Sequence, residues 1–201
     1  MMVRVLLVIL VLVTIGCGPS RSSLRAPALP TLTLPRDQEV PVAALGGSLL
    51  YRAIEYEHGE DGSAATVVRV NLVGRPKVLR FVATMPGQTY ADGVLLTVLG
   101  DDDHRLRVQI DQPVLGRPFE LHEHNDVVLD GTQLQFFLDP YGLTGTPTVR
   151  FAIGVGDKAQ HLDVAASPGS QGSITTPPWR ITVGDVTTHS AVLLVERLAR
   201  P

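Results

Sequence analysis

Four stretches of the chain alternate apolar and polar residues with a period of two. In Thr66–Leu72, Val68, Val70 and Leu72 fall on one side and Arg69 and Asn71 on the other. Arg105–Asp111 sets Leu106, Val108 and Ile110 against Arg107 and Gln109. Gln133–Leu138 collects Leu134, Phe136 and Leu138, and Val149–Val155 collects Val149, Phe151, Ile153 and Val155. Successive side chains of a strand point to opposite faces, so this pattern predicts half-buried antiparallel strands. Turn-forming residues separate them at Gly59–Gly62, Gly74–Pro76, Met85–Gly87, Gly100–Asp103, Asp130–Gly131 and Pro140–Gly142. Such spacing, roughly ten residues, predicts an all-β fold, an antiparallel β-sandwich of short strands over residues 37–166. No long amphipathic helix and no internal repeat follows residue 36.

The flanks read differently. Behind Arg4, an apolar run from Val5 to Ile15 is too short to span a bilayer, which takes about 20 residues. It predicts a signal peptide over 1–16. Residues 17–36 carry Pro19, Pro27, Pro30 and Pro35 among Ser, Thr and Arg, which predicts a semi-extended tether. A second Gly-, Ser- and Pro-rich stretch, 167–178, reads as a linker. Beyond it, 179–201 holds two apolar runs, Trp179–Val183 and Ala191–Leu198, around a turn. Two strands alone cannot bury a core. They either close the preceding sandwich or open a domain that is incomplete in this chain.

Composition narrows the function. Without residues 1–16, sixteen Lys and Arg face twenty Asp and Glu, so the basic surface that nucleic acid demands is missing. Hydrophobic residues, at 44%, suffice for a core, while 5% aromatics disfavour a stacking platform. The single cysteine, Cys17, excludes an internal disulfide.

Thr14-Ile15-Gly16-Cys17 resembles the cleavage site of bacterial lipoprotein signal peptides, with Thr14 where that family usually carries Leu. The resemblance implies a cut before Cys17, a lipid on its thiol and membrane anchoring through several acyl chains. Gly18 replaces the Asp associated with inner-membrane retention, which implies the outer membrane. At the other end, Trp179–Val183, Gly184-Asp185-Val186-Thr187 and Ser190-Ala191-Val192-Leu193 resemble the first two strands of a fibronectin type III-like domain. Such a domain precedes the catalytic part of alkaline phosphatase D-type and purple-acid-type phosphoesterases. Leu194 and Val195 depart from the Trp usual there, and the metal motifs of those enzymes are not recognisable in this chain.

His122 and His124 stand two apart and would share a strand face, as convergent metal ligands need. The spacing Gly116-x5-His122-x-His124 resembles the first cupin motif, but Val128 and Leu129 occupy the place of its Glu. His58, His104 and His161 are candidates for a third ligand. Asp101, Asp102 and Asp103 offer hard oxygens to calcium without EF-hand spacing. Asp185, His189 and Ser190 are the residue types of a hydrolytic triad, without a nucleophile elbow. Glu55, Glu57 and Glu60 are acidic, but nothing sets two of them across a cleft. No cofactor is called for. The expectation is a lipid-anchored, non-catalytic envelope protein that binds or scaffolds an envelope protein or glycan. The alternative is the N-terminal, non-catalytic part of a lipoprotein metallophosphoesterase.

Overall fold

Strand follows strand in the computed structural model, which describes residues 24–58, 64–102, 104–123, 125–139, 148–153, 160–165, 171–187 and 189–199. The first eight strands are β1 (Leu32–Pro35), β2 (Glu39–Val42), β3 (Gly47–His58), β4 (Ala64–Val73), β5 (Leu79–Thr84), β6 (Gly87–Ala91), β7 (Val94–Asp102) and β8 (Arg105–Asp111). They form two antiparallel sheets, in spatial order β1-β8-β7-β6 and β2-β3-β4-β5. The alternation in the sequence builds the core between them. Val68, Val70 and Leu72 of β4 and Leu106 and Val108 of β8 are buried with Leu34, Leu49, Phe81 and Leu96. Burial of such a side chain is worth roughly 1.5–3 kcal/mol.

A second pair of sheets follows: β9 (Phe119–His122), β10 (Asp126–Leu129), β11 (Thr132–Asp139), β12 (Thr148–Ile153), β13 (Gln160–Ala165), β14 (Gly172–Thr176), β15 (Trp179–Gly184) and β16 (Ser190–Arg197). Their orders are β10-β11-β12-β13 and β14-β15-β16-β9. The β11–β12 register sets Leu134 opposite Ile153, Phe136 opposite Phe151 and Leu138 opposite Val149, so the two apolar sets read from the sequence are paired. Phe119, Leu121, Ile181, Val183, Ala191 and Leu193 supply one side of the second core, Val127, Leu129 and Val164 the other. The all-β, sandwich-like character expected from the pattern is therefore observed.

The breaks fall elsewhere than the sequence suggested. The strands of 37–166 divide between two sandwiches at Gln112–Pro118, where Pro113, Gly116 and Pro118 interrupt any ladder. There Arg117 pairs with the buried Asp111 carboxylate, whose Oδ1 also accepts the Gln112 backbone N–H at 2.7 Å. The stretch 167–178, read as a linker, contains β14, which pairs with β15 from Gly172↔Val183 to Thr176↔Trp179. The apolar Ile174 packs on the second core and explains this pairing. The tail strands β15 and β16 are inner strands of their sheet, and β16 pairs with β9, far back along the chain.

The expected tether, 17–36, is not free over its described part. β1 pairs with β8 and buries Leu34 completely. Upstream of it, the Leu29 carbonyl accepts from Gln109 Nε2 at 3.3 Å, and Leu24 lies against Gly184. Proline suits this edge position, where its missing N–H breaks no ladder bond. Cys17 and residues 18–23 lie outside the described residues.

Strand β7 ties the sandwiches together. Its Val94, Leu96 and Val98 enter the first core, whereas Leu95, on the opposite face, enters the second.

Candidate functional site

Strand β9 alternates Phe119 and Leu121 inward with Glu120 and His122 outward. Its partner β16 sets Ser190 opposite His122 and Val192 opposite Glu120. Directly opposed residues of an antiparallel pair share a face, so Glu120, His122 and Ser190 are neighbours. The Ser190 hydroxyl donates to Glu120 Oε1 at 2.6 Å. His122 Nε2 stands 3.9 Å from the same oxygen, beyond hydrogen-bond length.

Two turns complete the group. Between β15 and β16, Asp185 opens the turn at φ 46° and Thr187 holds it. Thr187 Oγ1 accepts the backbone N–H of Ser190 at 2.9 Å and of His189 at 3.2 Å. In the β9–β10 turn, the Asn125 side-chain amide donates to the Glu123 carbonyl at 3.2 Å. The turns are locked to each other where the Glu123 backbone N–H donates to the His189 carbonyl at 2.9 Å. This brings the exposed His189 Nδ1 to 2.8 Å from Glu123 Oε1.

The first sandwich supplies the facing wall. Gln88 of β6 accepts the His122 backbone N–H on Oε1 at 2.9 Å and donates from Nε2 to the Glu120 carbonyl at 3.2 Å. Between the walls lies a cleft of about 700 Å³, lined by Val82, Thr84 and Pro86 on one side and His122, Glu123 and His189 on the other. Half-burial pushes the His122 imidazole below its ordinary 6.5. Glu120 and Glu123 oppose that effect, and His189 reinforces it.

Of the residues singled out in the sequence, His122 lines this cleft and His124 lies outside the described residues. The His58 and His161 side chains also lie outside, and His104 sits apart in the β7–β8 turn. Among the described residues, no three His, Cys, Asp or Glu side chains are placed to hold a metal ion. Asp103 lies outside them, as do the Glu55, Glu57 and Glu60 side chains. Asp185, His189 and Ser190 do not form a triad. The imidazole turns to Glu123, and the hydroxyl proton goes to Glu120, with Thr187 Oγ1 3.0 Å from Ser190 Oγ. Nothing in the sequence marks Gln88, Glu120 or Glu123 as members of the site. Each is an ordinary polar residue of a strand or turn, brought into place only by the β9–β16 pairing and the packing of the two sandwiches.

Compared with known proteins, the chain matches no family model, no curated protein and no solved structure.

Proposed function

We propose that this chain is an exported, lipid-anchored bacterial envelope protein. It works by binding rather than catalysis, and the cleft between its sandwiches is the binding site. The observation that carries the binding role is the cleft itself. Both sandwiches build it, and it sets His122, Glu123 and His189 against a mainly apolar wall. Binding sites tend to occur in concave seams of this kind, where a few polar groups converge on an apolar surface. The anchoring role rests on the pattern of residues 1–17, with the outer membrane as the favoured location.

The polar wall suits a ligand that offers hydrogen-bond donors to Glu123 and acceptors to His189, as the hydroxyl and amide groups of envelope glycans do. Titration of the full chain with soluble cell-wall glycan fragments tests this. The expected result is binding that weakens at least about tenfold in His122→Ala/His189→Ala, the loss of roughly two hydrogen bonds. Equal affinity in the double variant overturns the site, and no binding of any fragment overturns the glycan as ligand.

A further inference from the structure

The path of residues 24–31 decides how an anchored chain would stand on a membrane. This segment forms a strap across both sandwiches. It starts at Gly184, where an added Cβ would lie 2.8 Å from Leu24 Cβ and 3.1 Å from the Leu24 carbonyl oxygen. It then lines a groove of about 580 Å³ with Asp185, Val186 and Thr187. It reaches the first sandwich at Gln109 and enters β1. The packed body therefore reaches back at least to Leu24, well into the stretch that reads as a tether.

Only residues 18–23 separate Cys17 from Leu24. Seven Cα–Cα steps span at most about 25 Å. Between Cys17 and Arg36 the charged residues are Arg21, Arg25 and Arg36, with no acid. Of these only Arg21 lies within 18–23, and its positive charge suits anionic headgroups.

We infer that the end of the second sandwich holding Gln171, Gly184 and the Asp185–His189 turn faces the bilayer, and that the headgroup surface is its partner. This inference rests on the proposed acylation of Cys17. The same turn carries Asp185 and Thr187 on the strap groove and His189 on the seam cleft. The cleft is thus held at the membrane side of the body, where it meets ligands of the layer next to the lipid.

The one tryptophan provides the readout. Trp179 lies at the opposite end of β15 from Gly184, roughly 17 Å away along the strand. Full-length protein purified from bacterial membranes is placed in vesicles of phosphatidylcholine and phosphatidylglycerol containing a dansyl-headgroup lipid. Energy transfer is compared between Trp179 and a Trp179→Phe/Gln171→Trp variant. Greater transfer from position 171 is expected. That difference should be lost when twenty Gly and Ser residues, which by themselves span about 25 Å on average, are inserted between Ser23 and Leu24. Intact mass is measured on every sample. Acylated protein with equal transfer from both positions, or with transfer unaffected by the insertion, overturns the orientation and leaves the anchor standing. Protein without acyl mass overturns the anchor, and the orientation falls with it.

Discussion

The side-chain carboxamide of Gln88 accepts the backbone N–H of His122 at 2.9 Å, so a residue of the first sandwich caps an edge strand of the second. The same amide donates to the Glu120 carbonyl and to Thr97 Oγ1 at 3.0 Å. One side chain thus takes the place of a missing neighbour strand along β9. An open edge would otherwise present unpaired backbone groups.

Replacement of Gln88 by Leu removes all three bonds and is expected to cost about 1–3 kcal/mol. The His122 amide should exchange faster with solvent. Gln88→Glu keeps an acceptor for His122 but loses the donor to the Glu120 carbonyl, so its amide protection should fall between the two. Hydrogen exchange at His122 measures this. Wild-type protection in Gln88→Leu would show that the seam is held by other contacts.

Protonation of His122 is disfavoured in the folded state, chiefly because the ring is partly buried. The unfolded chain takes up a proton near pH 6.5, the ordinary value. Between that pH and the lower folded value, the unfolded state binds more protons, so stability falls as pH falls. The contribution is present in full above 6.5 and is lost on acidification. In His122→Gln the decline of the denaturant midpoint between pH 7.5 and 5.5 should be shallower than in the wild type. A steeper decline would mean that Glu120 and Glu123, not burial, dominate the ring.

Leu95 sits on a strand whose two faces serve different cores. Truncation to Ala leaves a cavity in the second core, at a cost of about 2–5 kcal/mol. Because β7 belongs to the first sandwich, the loss should be felt by both, and calorimetry should still show one unfolding transition. Two separated transitions in the wild type would refute the coupling.

The strands were legible because their apolar sets repeat every second residue. Val68, Val70 and Leu72 are buried as the alternation requires. The division into two sandwiches was not, because turn signals such as Pro113 and Gly116 look alike whether the next strand joins the same sheet or a new one. β14 was hidden for a related reason. Gly172–Thr176 has a single large apolar side chain, Ile174, and its composition resembles a linker. In the site, His122 stood out by residue type and its neighbours did not. Glu120 reaches Ser190 through a pairing of β9 with β16, and Gln88 reaches His122 across two sandwiches. Local sequence carries no trace of either.

The strap is fixed at its start by the absence of a side chain at Gly184. A methyl group there would meet Leu24 Cβ at 2.8 Å and the Leu24 carbonyl oxygen at 3.1 Å, closer than packed atoms tolerate. Gly184 has no left-handed backbone angle, so Ala brings no conformational strain of its own, and the conflict falls on the strap. β15 is paired on both sides, by β14 and β16, whereas the strap belongs to no ladder before β1, so the strap should yield before β15 does. Gly184→Ala is therefore expected to lower global stability by no more than about 1 kcal/mol, at the low end of overpacking costs. It should also loosen Leu24–Pro30. Trypsin cleaves after Arg25, which is exposed within the strap. Limited proteolysis followed by mass analysis should show cleavage at Arg25–Ala26 several-fold faster in the variant, with the body from β1 onward still folded. Unchanged cleavage would mean that the strap is secured elsewhere and that its start is not set by the contact with Gly184.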